Sequence, residues 1–340
     1  MIAEAQVSTV PKDENAIDIF KGHWITPLNE NLSAFHTSDL SAFPDQRVVW
    51  ACSEIGDIAG YSVLELGPLE AADTCVLEHC GAASILSVEP STKSFLKCLI
   101  VKELGPLTRT QFLCGDYLEF LRHNSSSFDL CVASGVLYRV INPVELLARC
   151  ARASDRLYLW THYYDPEILS KSDGLFGQFS AGTEIGFEGF RCTAYEHRQE
   201  TANWHGFHHG SVNFSFWMTR EDILACLRCF GFVNITTHFE QPDHPYGPSF
   251  ALVATTARAS ETLASMSARE TAVRESSFKK RWYPADEPIV TQAEVFDARL
   301  NALRSRLDAL EVRVNRYANA PPLRWLRNLR SRTLGLPHPR

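Results

Sequence analysis

Short apolar runs alternate with segments of helical spacing between residues 61 and 161, and this pattern limits the possible folds more than any other feature of the chain. Each run shows little polar alternation, as expected of strands buried on both faces of a parallel sheet. Five such strands are predicted, at Ser62–Leu66, Ser84–Glu89, Thr110–Cys114, Phe128–Ala133 and Arg156–Thr161. Repeated strand–helix units with right-handed crossovers form a doubly wound parallel sheet.

Helix start signals lie before and between these strands and again near residue 219. Asp45–Ala59 carries apolar residues on one side, as an amphipathic helix does, and Thr92–Leu104 has helical spacing up to a Gly-Pro stop. Asn142 is followed by a first-turn proline and by Glu145, the acid of a capping box. Thr219 opens another predicted helix after the fifth strand.

Two further β-rich runs follow, at Phe232–Phe239 and Ser249–Thr255. The turn-forming stretch between them is too short for a helix, so the two strands are predicted to pair antiparallel. The expected fold class is therefore α/β, with a doubly wound, mostly parallel seven-stranded sheet, an antiparallel edge strand and a C-terminal helical extension. Residues 163–216, between the fifth strand and the next helix, lack periodicity and are rich in Gly, Phe and His.

The first predicted strand ends in an acid and a glycine. Glu65 stands two positions before Gly67, at the carboxyl end of the strand, where open α/β sheets bind their ligands. A carboxylate there would repel a pyrophosphate and favour a cation.

Four ordered motifs carry a family resemblance. They are Val63-Leu-Glu-Leu-Gly67, the strand-ending Glu89 before Pro90, Cys114-Gly-Asp116, and Phe128-Asp-Leu-Cys-Val-Ala-Ser-Gly-Val-Leu-Tyr138. In this order and spacing, over residues 45–256, the chain resembles the class I S-adenosylmethionine-dependent methyltransferases. The resemblance implies a Rossmann-like methyltransferase fold and S-adenosyl-L-methionine as cofactor.

The same resemblance assigns expected cofactor contacts to residues at successive strand ends. Glu65 would lie near the ligand's ammonium beside the Gly67 loop, and Glu89 would accept from both ribose hydroxyls. Asp116 and the Tyr117 backbone would meet the adenine edge. The small residues Ser134 and Gly135 would let the backbone approach the methionine end. Capping of adjacent loops and helices is the alternative role for each acid.

The chain departs from the family pattern at three positions. Leu69 and Ala71 occupy places where the family usually carries further glycines, which puts the loop conformation in question. Arg139 stands where relatives with a Gly-Val-Leu-Tyr string often have a histidine.

The acceptor side of the site is predicted after the fourth and fifth strands. Transfer to a hydroxyl calls for a general base, and the candidates are Tyr138, His162 and His208. Ten aromatic residues between Phe176 and Trp217 suit either a lid over the acceptor or a satellite core. No metal is expected, because His208 and its neighbouring histidines have no acidic or cysteine partner at metal-site spacing.

Charge and composition limit the expected classes of binding partner and the expected location of the protein. The net charge of −7 argues against general nucleic-acid binding. An acidic, polar N-terminus and the lack of an apolar stretch of ~18 residues predict neither a signal peptide nor a membrane span. Ten cysteines scattered through predicted strands and helices favour a reducing, cytoplasmic location.

The segments at the two ends of the chain carry separate expectations. Residues 1–44 show little periodicity, and 257–290 resemble a polar helix and a linker. Residues 291–320 contain a heptad seam, which would pair two chains as a homodimer or fold back on the domain. Residues 321–340 form a basic amphipathic tail with five arginines, suited to an anionic membrane surface or to a solvated end.

The expected function is O-methylation of a saccharide, a glycolipid or a small metabolite. A methyltransferase that modifies transfer RNA remains an alternative, although the acidic main body offers no phosphate-binding stripe. A nicotinamide-dependent oxidoreductase and a non-catalytic scaffold with a degenerate cofactor site also remain open.

Overall fold

The structure is a computed structural model that describes residues 6–25, 45–105, 107–171, 175–198 and 214–259. All of these belong to one of the two compact units into which the chain divides, Met1–Tyr283 and Pro284–Arg340. His208, the heptad helix 291–320 and the basic tail 321–340 lie outside the described residues, so the predictions made for them stay predictions.

Seven strands form the central sheet, in the order β3-β2-β1-β4-β5-β10-β9. The strands in chain order are β1 Ser62–Leu66, β2 Ser84–Glu89, β3 Thr110–Cys114, β4 Leu130–Ser134, β5 Arg156–His162, β6 Phe179–Phe187, β7 Phe190–Arg198, β8 Phe214–Met218, β9 Phe232–Gln241 and β10 Ser249–Thr256. Strands β1 to β5 pair parallel throughout. This order confirms the predicted Rossmann-like, doubly wound, mostly parallel seven-stranded sheet.

The antiparallel strand is β10, which lies between β5 and the edge strand β9. It pairs antiparallel with both neighbours, and its first residue, Ser249, stands opposite His162 at the end of β5. Because β10 runs against the other strands, the turn that precedes it arrives at the carboxyl edge of the sheet. That turn therefore lies where the ligand-binding loops of a parallel sheet are found.

Most of the described helices begin where a side chain satisfies a free backbone N–H group, whereas those at Asp13–Asp18 and Ala72–His79 have no side-chain cap. They are α1 Asp13–Asp18, α2 Gln46–Ile55, α3 Ala72–His79, α4 Thr92–Leu104, α5 Tyr117–His123, α6 Pro143–Ala153, α7 Pro166–Leu169 and α8 Arg220–Cys229. Asn142 accepts from the Glu145 N–H, and Thr219 accepts from the Asp222 N–H, as their sequence signals predicted. The Glu145 carboxylate does not complete a capping box and instead accepts from Arg122 and Arg149.

Helix α3 starts later than its apolar spacing suggests. The sequence predicts a helix from Glu70, but the backbone φ is 58° at Leu69 and 61° at Ala71. These left-handed angles interrupt the right-handed helix geometry, so the first helical residue is Ala72.

Two apolar clusters fill the two faces of the sheet. One joins α6 and α8 to the sheet, with Leu64, Leu147 and Leu227 fully buried. The other joins α2 and α3 to the opposite face through Val48 and Val76. The alternation of Val63 and Leu64 between these clusters explains why β1 reads as a continuous apolar run.

Residues 163–216 contain regular structure that the sequence did not indicate. Strands β6, β7 and β8 form a separate antiparallel sheet, in the order β6-β7-β8. Much of β6 is exposed, so it lacks the alternation of a half-buried strand, and Gly182 and Gly186 interrupt it. The missing periodicity noted in the sequence therefore did not mean that this region lacks strands.

The N-terminal segment is attached to the loop after β1 by a buried ion pair. Lys97 of α4 donates to Glu70 and to the carbonyl of His23, each at 2.5 Å. Glu70 also accepts from the Ile25 N–H at 3.0 Å, and Trp24 packs on the adjoining apolar cluster. This attachment was not predicted from the sequence.

Within the described residues, no helix combines the length and the apolar character that crossing a bilayer requires.

Candidate functional site

The carboxyl ends of β1 to β5 and the start of β10 meet at one edge of the sheet. The sequence-predicted residues Glu65, Glu89, Ser134, Gly135 and His162 all lie along this edge, because each ends or follows a parallel strand.

Glu65 is fully buried near the end of β1. Its Oε2 accepts from the hydroxyls of Thr74 and Ser87, both at 2.6 Å. Its Oε1 is buried and has no hydrogen-bond partner among the described residues. Burial raises the pKa of Glu65 to about 7, although the two hydroxyls favour the ionised form. A cationic ligand group would satisfy the second oxygen.

Glu89 holds the loop that follows β1. Its Oε2 accepts from the Leu69 N–H at 2.9 Å and its Oε1 from the Ser91 N–H at 2.8 Å. Burial raises the pKa of Glu89 to about 7 as well, and the charge of Glu65 adds to the rise. The carboxylate thus fixes two backbone segments at the edge where the resemblance expects ribose contacts.

The loop after β1 has an unusual backbone. Gly67, Leu69 and Ala71 all have left-handed angles, with φ of 67°, 58° and 61°. The two positions where the family usually carries glycine thus adopt a conformation that favours glycine while carrying side chains. A Cβ at Gly67 would lie 2.7 Å from Cγ1 of Val136, so only glycine fits there.

Asp116 and Tyr117 lie where β3 leads into α5. Oδ1 of Asp116 accepts from the N–H groups of Leu118 and Glu119 at 2.8 and 2.9 Å, so this carboxylate caps α5. The Tyr117 side chain is buried, and burial raises the pKa of its hydroxyl. Capping accounts for one oxygen of Asp116, and the residue is exposed at the sheet edge.

Ser134 ends β4 and Gly135 follows it, and Ser134 lies beside a carboxyl group that the sequence did not single out. The Ser134 hydroxyl hydrogen-bonds the carboxyl group of Asp73, whose pKa is raised to about 8, chiefly by burial and then by the charge of Asp45. Gly135 has a φ of 74° and donates its N–H to the carbonyl of Trp160 at 2.9 Å.

Arg47 was also missed. It forms a two-pronged pair with Asp45, with N···O distances of 2.6 and 2.5 Å, and its guanidinium carbon lies 4.0 Å from the centre of a Trp160 ring. The Asp45-x-Arg47 spacing at a helix start was the only sequence signal for this pair.

Tyr138 and Arg139 lie between Gly135 and His162 at this edge. Arg139 donates from Nε to the carbonyl of Gly135 and from Nη2 to the Tyr138 hydroxyl, both at 2.9 Å. The Tyr138 ring lies edge-on to His162, with centroids 4.6 Å apart. An arginine therefore orients the tyrosine at the position where relatives often have a histidine.

His162 is buried and uncharged at neutral pH. Its Nδ1 donates to the carbonyl of Gly247 at 2.7 Å, and its ring stacks on Trp217 with centroids 5.3 Å apart. Burial lowers the pKa of His162 to about 3. Because a carbonyl can only accept, the proton of this neutral ring is on Nδ1 and the lone pair is on Nε2.

Two further histidines, His197 of β7 and His244 before β10, surround this centre, and neither was predicted. The His244 ring lies 4.8 Å from that of His162, and its Nδ1 accepts from the Tyr246 N–H. His197 contacts Trp217, with centroids 4.9 Å apart. Their proximity arises from the antiparallel β10 and from the β6-β7-β8 sheet, so neither local spacing nor periodicity could reveal it.

In the described part of the chain, no three His, Cys, Asp or Glu residues are grouped so as to hold a metal ion. Cys226 and Cys229 lie within α8, the first buried and the second exposed.

No protein-family model matches this chain, and no curated protein matches it. Solved structures do show similarity. The N-terminal domain of EvdMO1, crystallised in the presence of S-adenosylhomocysteine and D-fucose, is 25% identical, with 62% of this chain and 83% of that chain covered and a TM-score of 0.48.

Two other similar structures are named as methyltransferases. Magnesium protoporphyrin IX methyltransferase from Synechocystis, with bound S-adenosylhomocysteine, is 16% identical over 72% of this chain and 94% of that chain, with a TM-score of 0.43. An S-adenosylmethionine-dependent methyltransferase from Mesorhizobium loti is 14% identical over 63% and 99%, with a TM-score of 0.41. These TM-scores are low, so the case for a function depends on the residues of the site.

Proposed function

We propose that this protein is an S-adenosylmethionine-dependent methyltransferase that transfers a methyl group to a hydroxyl of a saccharide, a glycolipid or a small metabolite. The observation that carries the proposal is the buried Oε1 of Glu65, which has no hydrogen-bond partner among the described residues and lies just before a loop with left-handed φ angles at Gly67, Leu69 and Ala71. It lies at the carboxyl edge of a doubly wound sheet, which is where such folds bind their ligands.

The residues present fit this cofactor. Its ammonium group would supply the partner that Oε1 of Glu65 lacks, as a charge-assisted hydrogen bond. Two buried carboxylates at neighbouring strand ends, Glu65 and Glu89, would repel a pyrophosphate. This electrostatic argument favours S-adenosylmethionine over a nicotinamide dinucleotide.

The cofactor would supply a methyl group bonded to a positively charged sulfur. The protein's part is to hold donor and acceptor in line and to exclude water. Gly135 leaves room for the backbone after β4 to lie close to the cofactor. A Cβ at this position would lie 3.3 Å from the Trp160 ring. Arg139 holds the backbone after β4 through the carbonyl of Gly135, and the loop at Gly67 follows the neighbouring strand β1.

His162 is better suited to orient an acceptor hydroxyl than to take up and hold its proton. Its Nε2 lone pair can accept a hydrogen bond because Nδ1 is committed to Gly247. With a pKa of about 3, the ring would hold a proton only weakly at neutral pH. His162 and Tyr138 therefore position the hydroxyl in this proposal, and His208 stays a candidate base.

The acceptor side favours a ring-shaped or apolar-faced molecule over a polyanion. The rings of Trp160, Trp217 and Tyr138 all pack around His162. No basic stripe like that needed to follow a nucleic-acid backbone is evident from the acidic composition, so a transfer-RNA substrate is the less favoured alternative.

Calorimetry with S-adenosylhomocysteine and with NAD, on the full chain, tests the cofactor. We expect binding of the first and none of the second, and we expect Glu65→Gln to weaken binding about tenfold or more, as loss of a charged hydrogen bond does. The exposed Glu54→Gln serves as control. Binding of NAD alone would support the oxidoreductase, and binding of neither would support the scaffold.

Transfer of a radiolabelled methyl group from S-adenosylmethionine into fractionated small-molecule, lipid and RNA extracts tests the acceptor class. Label that enters only RNA would contradict the proposal. Dimerisation through residues 291–320 and membrane contact through 321–340 remain proposals from the sequence alone.

A further inference from the structure

One face of the β6-β7-β8 sheet carries three buried polar atoms without a partner among the described residues. They are Nδ1 of His197, Oγ of Ser215 and Nε1 of Trp217. Ser215 and Trp217 are almost completely buried, so bulk water does not serve them. We call these three residues the β7-β8 polar cluster.

The strand register places the three side chains together. His197 stands directly opposite Ser215, and Tyr195 stands directly opposite Trp217. Residues opposite each other, and residues two apart on one strand, share a face of the sheet. His197, Ser215 and Trp217 therefore lie side by side, which agrees with the 4.9 Å between the His197 and Trp217 ring centroids.

The hydrogen-bonding roles within the cluster are fixed by chemistry. Nε2 of His197 lies 3.1 Å from Oε1 of Gln178, so Nε2 carries the proton and Nδ1 offers a lone pair. Burial lowers the pKa of His197 to about 4, so the ring is neutral near pH 7. The indole of Trp217 can only donate, whereas Ser215 can do both.

A hydroxyl group matches this set. It donates to Nδ1 of His197 and accepts from Nε1 of Trp217 at the same time. A carboxylate cannot donate to the histidine, and an ammonium cannot accept from the indole. Buried polar groups without partners cost free energy, so a ligand that supplies the missing bonds gains both affinity and selectivity.

The cluster adjoins the acceptor side of the site. Trp217 stacks on His162, and its ring lies 5.8 Å from that of Tyr138. A molecule with one hydroxyl at His162 and further hydroxyls at the cluster would lie beside the Trp217 ring, which packs against both His162 and His197. Sugars present this combination of hydroxyls and apolar C–H faces.

We propose that the β7-β8 polar cluster is a subsite for a second hydroxyl of the acceptor, which makes the acceptor a polyhydroxylated, carbohydrate-like molecule. This proposal rests on the proposed function, because it names the substrate class of the same site. Permanently ordered water is the competing occupant.

The test uses the full chain labelled with ¹⁵N-tryptophan, with and without S-adenosylhomocysteine. The probes are the common methyl hexopyranosides and their single-deoxy analogues. Trp217→Phe assigns the indole N–H signal of Trp217. We expect at least one glycoside to shift this signal in a saturable way. One deoxy analogue of that glycoside should bind at least about tenfold more weakly.

The variants His197→Phe and Ser215→Ala separate a ligand site from a structural role. Each should weaken glycoside binding about tenfold and leave the dissociation constant of S-adenosylhomocysteine unchanged. Ser215→Ala should also keep or raise the Tm of the unliganded protein, since it removes a buried polar atom that has no partner among the described residues. His197→Phe also loses the hydrogen bond to Gln178, so its Tm should fall somewhat whichever role the cluster has. The exposed Ser84→Ala is the matched control for Ser215→Ala and should change neither quantity.

Two outcomes would overturn the proposal. One is that no glycoside moves the Trp217 signal, with or without S-adenosylhomocysteine. The other is that Ser215→Ala lowers Tm while both variants leave glycoside binding unchanged, which would identify structural water. Failure to bind S-adenosylhomocysteine while a glycoside still shifts the signal would instead refute the cofactor and retain the subsite.

Discussion

The backbone N–H of Leu69 donates to Oε2 of Glu89 at 2.9 Å, so the acid at the end of β2 holds the loop that follows β1. Leu69 has a left-handed φ of 58°, which costs a non-glycine residue free energy. The hydrogen bond to a buried carboxylate offsets that cost. The loop beside the proposed cofactor site is thus shaped by a contact between strands as well as by its own residues.

Ala71→Gly should be close to neutral for stability, although glycine usually destabilises. The left-handed φ of 61° costs alanine about 1–2 kcal/mol, which glycine avoids. Glycine loses about 0.5–1 kcal/mol in chain entropy and a buried methyl group, so these effects nearly cancel. Ala148→Gly, in the interior of α6, has no such relief and should cost about 1 kcal/mol or more. Urea unfolding of both variants checks the difference, and equal losses would contradict it.

Gly67→Ala should destabilise the protein by about 2–4 kcal/mol. The backbone φ of 67° strains any side chain, and the new Cβ would lie 2.7 Å from Cγ1 of Val136. Val136→Ala in the same chain should recover the steric part only, because it leaves the φ unchanged. A double-mutant cycle by chemical denaturation measures the coupling. Additive effects of the two changes would show that the contact with Val136 is not limiting.

Glu65 and Glu89 should each make a contribution to stability that falls as the pH rises from about 4.5 to about 7. Both have a pKa of about 7 in the folded protein, above the ordinary 4.5, because burial disfavours their charge. Below pH 4.5 they are protonated in both states and impose no penalty. Between the two values only the unfolded chain releases the protons, which favours unfolding by up to about 3 kcal/mol for each acid.

Glu65→Gln should remove its share of this pH dependence. The variant is uncharged at every pH, so its unfolding free energy should change less than that of the wild type between pH 4.5 and 7. His162 works in the opposite sense over about pH 3 to 6.5, since its pKa is lowered, and it cancels in the comparison. Unfolding curves at several pH values, with Glu54→Gln as control, provide the measurement. Parallel curves for wild type and Glu65→Gln would refute the assigned pKa direction.

Lys97→Met should release the N-terminal segment and destabilise the protein by about 3–5 kcal/mol. The change leaves the fully buried carboxylate of Glu70 without its cation. The double change Lys97→Met and Glu70→Leu should recover much of the loss, because no buried charge is then left alone. The exposed pair of Arg191 and Glu184 provides the control, and Arg191→Met should cost less than about 1 kcal/mol.

Limited proteolysis gives an independent reading of the same prediction. Cleavage within residues 6–25 should become faster in Lys97→Met and should remain slow in Arg191→Met. Unchanged protection of this segment would mean that the ion pair does not hold it in place.

Much of the sheet follows from the sequence because its strands are buried on both faces. Ser62–Leu66, Ser84–Glu89 and Thr110–Cys114 were predicted with their observed limits, and so was the helix Thr92–Leu104. The pattern failed in β6, since a largely exposed strand carries no alternation between buried and polar positions.

The sequence predicted site residues only where a position at the end of a strand was enough to place them. Glu65, Glu89 and Gly135 lie at the ends of parallel strands, so their common edge follows from the fold class. Arg47, Asp73, His197 and His244 come to the site through tertiary contacts that no local spacing encodes. The neutral, Nδ1-protonated form of His162 depends on the carbonyl of Gly247, which lies 85 residues away in the chain.

The reversed direction of β10 divides the site between two portions of the chain. Residues proposed to hold the cofactor come from 45–139, whereas those on the acceptor side come mainly from 160–249, through β5, the β6-β7-β8 sheet and the turn before β10. Substitutions in residues 160–249 should therefore alter which acceptor is bound without changing the residues proposed to hold the cofactor. Under the proposed function, exchange of residues 163–218 for the corresponding segment of another methyltransferase is accordingly a route to new acceptor preferences with an unchanged cofactor site.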